Sequence, residues 1–176
     1  PVVAPSADAF EELDPTDEAA MDSILAARDL WEPEAFQSAL TARDGLQETN
    51  PDPYEDGLVH LGRLAGASKS YGDPRDGRAA MPDAVWIFGS ARWVIWEAKN
   101  QATNTGEIGA DQARQAGGHR RTTEKTEGAV APGDSICVLA SPKPKVHEST
   151  YNVAEENVYW VQPPQVLELF DTLTRA

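Results

Sequence analysis

Pro82-Asp83-Ala84-Val85-Trp86-Ile87-Phe88-Gly89-Ser90-Ala91-Arg92-Trp93-Val94-Ile95-Trp96-Glu97-Ala98-Lys99 reads as one β-hairpin with charged groups gathered at its open end. Two apolar runs, Ala84–Phe88 and residues 93–96, flank a turn containing Gly89 and Ser90. With a three-residue loop of Gly89, Ser90 and Ala91, opposed residues have numbers that sum to 180, so Asp83 faces Glu97. Directly opposed side chains of an antiparallel pair share a face, with Cβ atoms roughly 4.5–5.5 Å apart. That separation suits two carboxylates gripping one divalent cation. Lys99, two residues beyond Glu97, points to the same side. A two-residue Gly-Ser loop of type II′ instead shifts the pairing by one and turns Glu97 to the other face unless a bulge restores it.

Both faces of this hairpin are apolar: Val85, Ile87, Trp93 and Ile95 on one, Trp86, Phe88, Val94 and Trp96 on the other. Such a strand pair belongs in the middle of a covered sheet. Three ionisable groups at one end of it are costly unless they neutralise each other or a metal. A Glu-Lys pair at a strand end beside an unrelated turn aspartate is the plainer alternative.

Pro82-Asp83 followed by Glu97-Ala98-Lys99 resembles the PD-(D/E)XK nuclease superfamily, which includes restriction endonucleases, Holliday-junction resolvases and the nuclease domains of helicase-nucleases. The resemblance covers roughly residues 51–165. Upstream, Tyr54-Glu55-Asp56 followed by Leu58, Leu61, Leu64 and Ala65 at helical spacing and a stop at Gly66 is similar to the first helix of the Mrr-like branch. The resemblance makes Glu55 the helix-borne acid. A solvated glutamate favoured by the helix dipole fits the same position. Downstream, residues 109–125 read as a helix carrying Gln112, Gln115 and His119 on one face. The family often has Gln-x-x-x-Tyr here. Imidazole replaces the aromatic in this chain, so Gln115 alone is carried over as a site residue, and a polar surface helix accounts for the pattern equally. Arg114, Arg121 and Lys125 form an adjacent stripe suited to a phosphate backbone.

Two further strands, residues 135–140 and 157–161, complete an α-β-β-β-α-β-β order, with a last helix over 164–174. The expected fold is thus α/β: a restriction-endonuclease-like αβββαββ core, its mixed central sheet flanked by helices. Cys137 lies among Ile136, Val138 and Leu139 and reads as core, with nothing nearby to activate a thiolate. The loop holding Lys143 and Lys145 on proline spacing either touches nucleic acid or is a solvated connection. Trp86, Trp93, Trp96 and Trp160 fall within strands, where core packing explains them better than base stacking. His60 and His147 have no partner at metal-ligand spacing.

A chain of 176 residues can bury a real core and hold one compact domain with a short appendage. It has no initiator Met, signal peptide or apolar stretch able to cross a bilayer, and reads as an excised portion of a soluble cytoplasmic protein. A single cysteine permits neither an internal disulfide nor a cysteine-rich zinc site. The net charge of −14 is unfavourable for approaching phosphates. Its distribution matters more than its size: residues 1–60 hold 15 acids against Arg28 and Arg43, whereas residues 61–176 hold 14 acids and 13 bases. Within the lead, residues 1–15 are poor in apolar groups; Ala20, Met21, Ile24, Leu25, Ala27, Leu30 and Trp31 then follow at helical spacing. Residues 34–46 form a second helical candidate, with Phe36, Leu40 and Leu46 available for packing. The Asn50-Pro51-Asp52-Pro53 break divides an acidic N-terminal segment, 1–50, from a nuclease-like domain, 51–176. That segment is a support, a linker, or an acidic decoy occupying a nucleic-acid groove.

The resemblance implies phosphodiester hydrolysis in DNA, with Mg²⁺ or Mn²⁺ held by Asp83, Glu97 and the carbonyl of Ala98. These hard oxygen ligands favour such ions over zinc. Lys99 would orient or help deprotonate the attacking water, Glu55 would position a second metal or a water, and Gln115 would orient substrate or the lysine. The partners it implies are DNA, further domains or subunits of a larger restriction, repair or anti-phage enzyme, and a second copy in a homodimer; a membrane is not among them. A catalytically silent nucleic-acid-binding module of the same fold and an RNA-directed nuclease are the competing readings, since no base-reading element or 2′-hydroxyl reader is visible.

Overall fold

The computed structural model describes residues 33–73 and 81–175. The helical pattern read over residues 17–31 lies outside them, as does the side chain of Phe36. Helices α1 (Pro33–Leu46) and α2 (Pro51–Leu64) lead into strands β1 (Lys69–Gly72), β2 (Ala84–Phe88) and β3 (Arg92–Ala98). After the short β4 (Glu107–Ile108) come α3 (Ala110–Glu127), β5 (Ile136–Ala140), β6 (Lys145–Val146), the one-turn α4 (Glu148–Tyr151), β7 (Val158–Val161) and α5 (Pro163–Arg175).

Five strands form one mixed sheet in the order β1-β2-β3-β5-β7, and β4 pairs with β6 in a separate two-stranded ribbon. β1, β2 and β3 are antiparallel neighbours, whereas β3, β5 and β7 run parallel. A parallel return needs a crossover, and α3 supplies the one between β3 and β5. The chain is therefore of mixed α/β class.

The hairpin register is the one that a three-residue loop dictates. Ala84 opposes Trp96, Val85 opposes Ile95 and Phe88 opposes Arg92. The loop closes through a 3.0 Å hydrogen bond from the Ala91 amide to the Phe88 carbonyl. Gly89 sits at φ 53°, a left-handed conformation that side chains disfavour. The two-residue alternative and its bulge are therefore not used.

Because β2 and β3 are central, both of their apolar faces are covered. Trp86, Val94 and Trp96 pack with Ala42, Leu46, Tyr54, Leu58, Leu61, Val166 and Phe170, beneath α1, α2 and α5. Val85, Ile87, Trp93, Ile95 and Cys137 pack on the opposite face with Ala131. α3 crosses that same side, burying Ala116 against Leu139 and Ile108. Trp86 and Trp96 meet with centroids 4.8 Å apart, and Trp86 Nε1 donates to the Leu58 carbonyl, 2.9 Å, tying sheet to helix. Fully burying each large apolar side chain contributes about 1.5–3 kcal/mol. Cys137 is buried in this core and its thiol is pushed up to about 11 by desolvation, as an inert core cysteine should be. α1 shares the first core through Ala42 and Leu46, and Ser38 and His60 link it to α2 at 3.3 Å.

Candidate active site

β2 begins at the end of the sheet where β3 finishes, since the two are antiparallel. The Asp83 amide donates to the Trp96 carbonyl at 2.9 Å, one residue short of the register that would pair it with Glu97, so Asp83 precedes the last ladder pair, Ala84–Trp96, without extending the ladder. Glu97 follows Ile95 onto the α3 face, and the Asp83 carboxyl stands close enough for the Glu97 and His119 charges to act on it. Asp83 Oδ2 accepts a 2.5 Å hydrogen bond from the Ala98 amide. Glu97 is 2% exposed: Oε2 accepts from His119 Nε2 at 2.5 Å, and Oε1 is ion-paired with the ammonium of Lys99. An ionised carboxylate only accepts, so Nε2 of His119 carries the proton in this contact.

Environment pushes the two carboxyl groups apart. Burial, then the adjacent Glu97 charge, raises Asp83 to about 6 against the opposing pull of the Ala98 amide, Lys99 and His119. Burial acts to raise Glu97 as well, but the hydrogen bonds from His119 and Lys99 outweigh it, and Glu97 is held below the ordinary range. A pair of acids split in this way is a frequent mark of a functional site.

The remaining sequence candidates are distributed around this cluster. Glu55 lies one turn before Val59 on α2, and a Cβ on Gly72 would sit 3.1 Å from Val59 Cγ2 and 2.8 Å from the Asp83 carbonyl. Glu55 is thereby on the helix that reaches the Asp83 end of the sheet, from the face opposite α3. Gln115 is exposed on α3, one turn before His119. Gln112 instead accepts from the Gly109 amide at 3.2 Å and from Lys143 Nζ at 3.1 Å. Lys143 is half-buried and also donates to the Glu107 carbonyl, 2.8 Å, so it fastens its loop to the start of α3. Lys145 pairs with Glu107 at 2.5 Å. Arg114 pairs with Asp111 at 2.9 Å and Arg121 with Glu155 at 3.8 Å, while Lys125 is exposed without a carboxylate partner among the described residues.

His119 is the residue that sequence reasoning left aside. Gln112, Gln115 and His119 share a helical face by spacing, yet only His119 is buried, because α3 turns Ala113, Ala116, Gly117, His119 and Thr123 inward. The signal that could have found it is the run of small residues at that spacing, which marks the sheet-facing stripe without being strongly apolar.

Among the described residues no group of three His, Cys, Asp or Glu side chains is arranged to hold a metal. The donor set that is present consists of two adjacent carboxylates, each with one oxygen anchored by an N–H and the other, Asp83 Oδ1 or Glu97 Oε1, outside those anchors. Mg²⁺ and Mn²⁺ fit such a set, because ions of this hardness accept one or two carboxylates and fill the remaining positions with water and substrate oxygen. Zinc, which prefers nitrogen and sulfur in a closed shell, does not. The cluster opens at the carboxyl ends of the parallel strands, where α/β sheets tend to place ligands. A cleft of about 420 Å³ lined by Leu46, Asn100, Pro142, Gln162 and Leu167 lies beside α1 and α5, and none of Asp83, Glu97, Lys99 or His119 lines it.

No family model matches this chain, and no curated protein or solved structure matches it significantly. No helix among the described residues is long and apolar enough to cross a membrane.

Proposed function

We propose that this chain is a divalent-metal-dependent nuclease domain of the PD-(D/E)XK type that hydrolyses phosphodiester bonds in DNA. The observation that carries the reading is that the Asp83 and Glu97 carboxyl groups come together at the end of the β2–β3 pair, with Lys99 paired to Glu97. The order α2-β1-β2-β3-α3-β5-β7 around that hairpin supports it, being the element order that the resemblance implies.

Hydrolysis joins a water oxygen to phosphorus, breaks one P–O ester bond and hands the water's proton to the solvent or to the departing oxygen. Asp83 and Glu97 would hold the Mg²⁺ or Mn²⁺, with the Ala98 carbonyl as a further ligand. When bound, the ion supplies charge neutralisation at the phosphate and lowers the pKa of water. Lys99 orients the attacking water and places positive charge beside the phosphorus as negative charge builds there. Ala98 and His119 fix the two carboxylates so that little reorganisation accompanies the reaction. By the resemblance, Glu55 of α2 would serve as an auxiliary acid and Gln115 of α3 would orient substrate or the lysine. On this reading the domain is one module of a restriction, repair or anti-phage enzyme.

The test is a titration of the purified chain with Mg²⁺ and Mn²⁺ against plasmid, single-stranded DNA and RNA, beside Asp83→Ala and Glu97→Ala. DNA cleavage that requires the ion and disappears in both variants is expected. Cleavage that persists in either variant overturns the assignment, and cleavage confined to RNA transfers it to the other substrate.

A further inference from the structure

We infer, on the basis of the nuclease reading, that His119 is a positioning residue for Glu97: it fixes Oε2 so that Oε1 is the oxygen presented to the cation and to Lys99. The geometry begins with α3. Its inward stripe is Ala113, Ala116, Gly117, His119 and Thr123, and a Cβ added to Gly117 would already stand 3.3 Å from Val158 Cγ2. Small residues bring the helix down onto the sheet, and the one long side chain of the stripe then reaches Glu97 directly. His119 is 3% exposed and Glu97 2%, so their contact is shielded from solvent.

The anchoring is symmetrical across the hairpin. Ala98 N–H occupies Asp83 Oδ2, and His119 Nε2–H occupies Glu97 Oε2. One donor comes from the backbone of β3 and the other from a different element, so the hairpin alone specifies Asp83 but not Glu97. A carboxylate with one oxygen fixed by an N–H cannot rotate freely, and outer groups of this kind typically change metal affinity by about 10–100-fold when removed. Without the imidazole, Oε2 is left buried and unpaired, and Glu97 turns toward Lys99 with both oxygens. That arrangement withdraws Oε1 from the cation.

The experiment measures Mn²⁺ binding to the DNA-free chain by the loss of the free-ion EPR signal, with Glu97→Gln as the site control. Glu97→Gln abolishes binding if the ion sits at this cluster. His119→Leu, which keeps bulk but has no donor, is then expected to weaken Mn²⁺ binding by about 10–100-fold. His119→Gln, whose amide can donate, restores binding to within about threefold of wild type, and in cleavage assays the loss in His119→Leu falls on kcat at saturating DNA rather than on KM. Circular dichroism checks the fold. Should His119→Leu fail to fold, His119→Asn, a shorter donor that cannot span the gap, is expected to show the same weakening. Wild-type Mn²⁺ affinity in a folded His119→Leu or His119→Asn protein overturns the positioning role while leaving the nuclease reading intact. Mn²⁺ binding unaffected by Glu97→Gln overturns both.

Discussion

Asp83 directly precedes the Ala84–Trp96 pair that ends the ladder, its carboxyl beside that of Glu97, and the two acids are held in opposite protonation tendencies. This relationship has a thermodynamic sign. Asp83 rises from 3.8 to about 6 on folding, so between those values the folded chain binds more protons than the unfolded one, and stability attributable to this group falls as pH rises. The loss is complete above about pH 6 and amounts to about 3 kcal/mol. Asp83→Asn keeps an acceptor for the Ala98 amide and removes the charge. Thermal melts in chelator are expected to show the variant more stable than wild type at pH 7–8, with the gap closing by about pH 4. Adding Mg²⁺ raises the melting temperature of the wild type and not of the variant. A variant that is no more stable at pH 8 than at pH 4, relative to wild type, rules out the upward shift that burial and the Glu97 charge impose on Asp83.

Lys99 and His119 both hold Glu97 but should act differently when removed. Lys99 occupies the same oxygen, Oε1, that a cation would use, so its ammonium competes with the ion even as it serves the reaction. Lys99→Ala is expected to lower kcat by about 10²–10⁴-fold. Mn²⁺ affinity in that variant should not weaken, in contrast to His119→Leu. Parallel loss of metal binding and turnover in Lys99→Ala would mean that the lysine only shapes the site.

The core makes a prediction independent of chemistry. Gly62 of α2 lies against Trp86, and a Cβ there would fall 2.3 Å from Trp86 Cδ1 and 2.6 Å from Ser70 Oγ. Trp86 is fixed by its bond to the Leu58 carbonyl and by Trp96, so it has little room to yield. Gly62→Ala is expected to destabilise by about 1–3 kcal/mol through overpacking, despite the better helix propensity of alanine. Urea denaturation with an unchanged m-value reads the effect. An equal or higher midpoint would show that α2 is free to shift on the sheet.

The parts of this molecule legible in its sequence are those with strong local signals. Gly89, Ser90 and Ala91 between two apolar runs fixed the register, which holds from Phe88–Arg92 to Ala84–Trp96 and ends one residue short of Asp83 and Glu97. The two-face apolar pattern of Val85 through Trp96 correctly indicated a covered central hairpin. What escaped was carried by weak patterns. The inward stripe of α3 is alanine, glycine and threonine, too mildly apolar to separate His119 from Gln112 and Gln115 by periodicity. β4 and β6 are two residues each, below any alternation that could announce a strand. Lys143 looked like a solvated or DNA-facing cation, yet its ammonium is engaged by Glu107 and Gln112, a long-range contact that spacing does not encode.

The basic stripe on α3 gives the last prediction, because its three members are not equivalent. Arg114 and Arg121 already face Asp111 and Glu155, and charge committed to a carboxylate offers less to a phosphate. Lys125 is exposed without such a partner among the described residues, and so should contribute most if DNA tracks along this helix. Binding is measured on the Glu97→Gln background, which removes turnover, across a series of salt concentrations. Removing one cation that neutralises a phosphate lowers the slope of log K against log salt by about 1. Lys125→Ala is expected to show that drop, with Arg114→Ala and Arg121→Ala showing smaller ones. Identical slopes for wild type and Lys125→Ala would place the phosphate backbone elsewhere, and Lys145, ion-paired to Glu107 on the neighbouring loop, becomes the next residue to substitute.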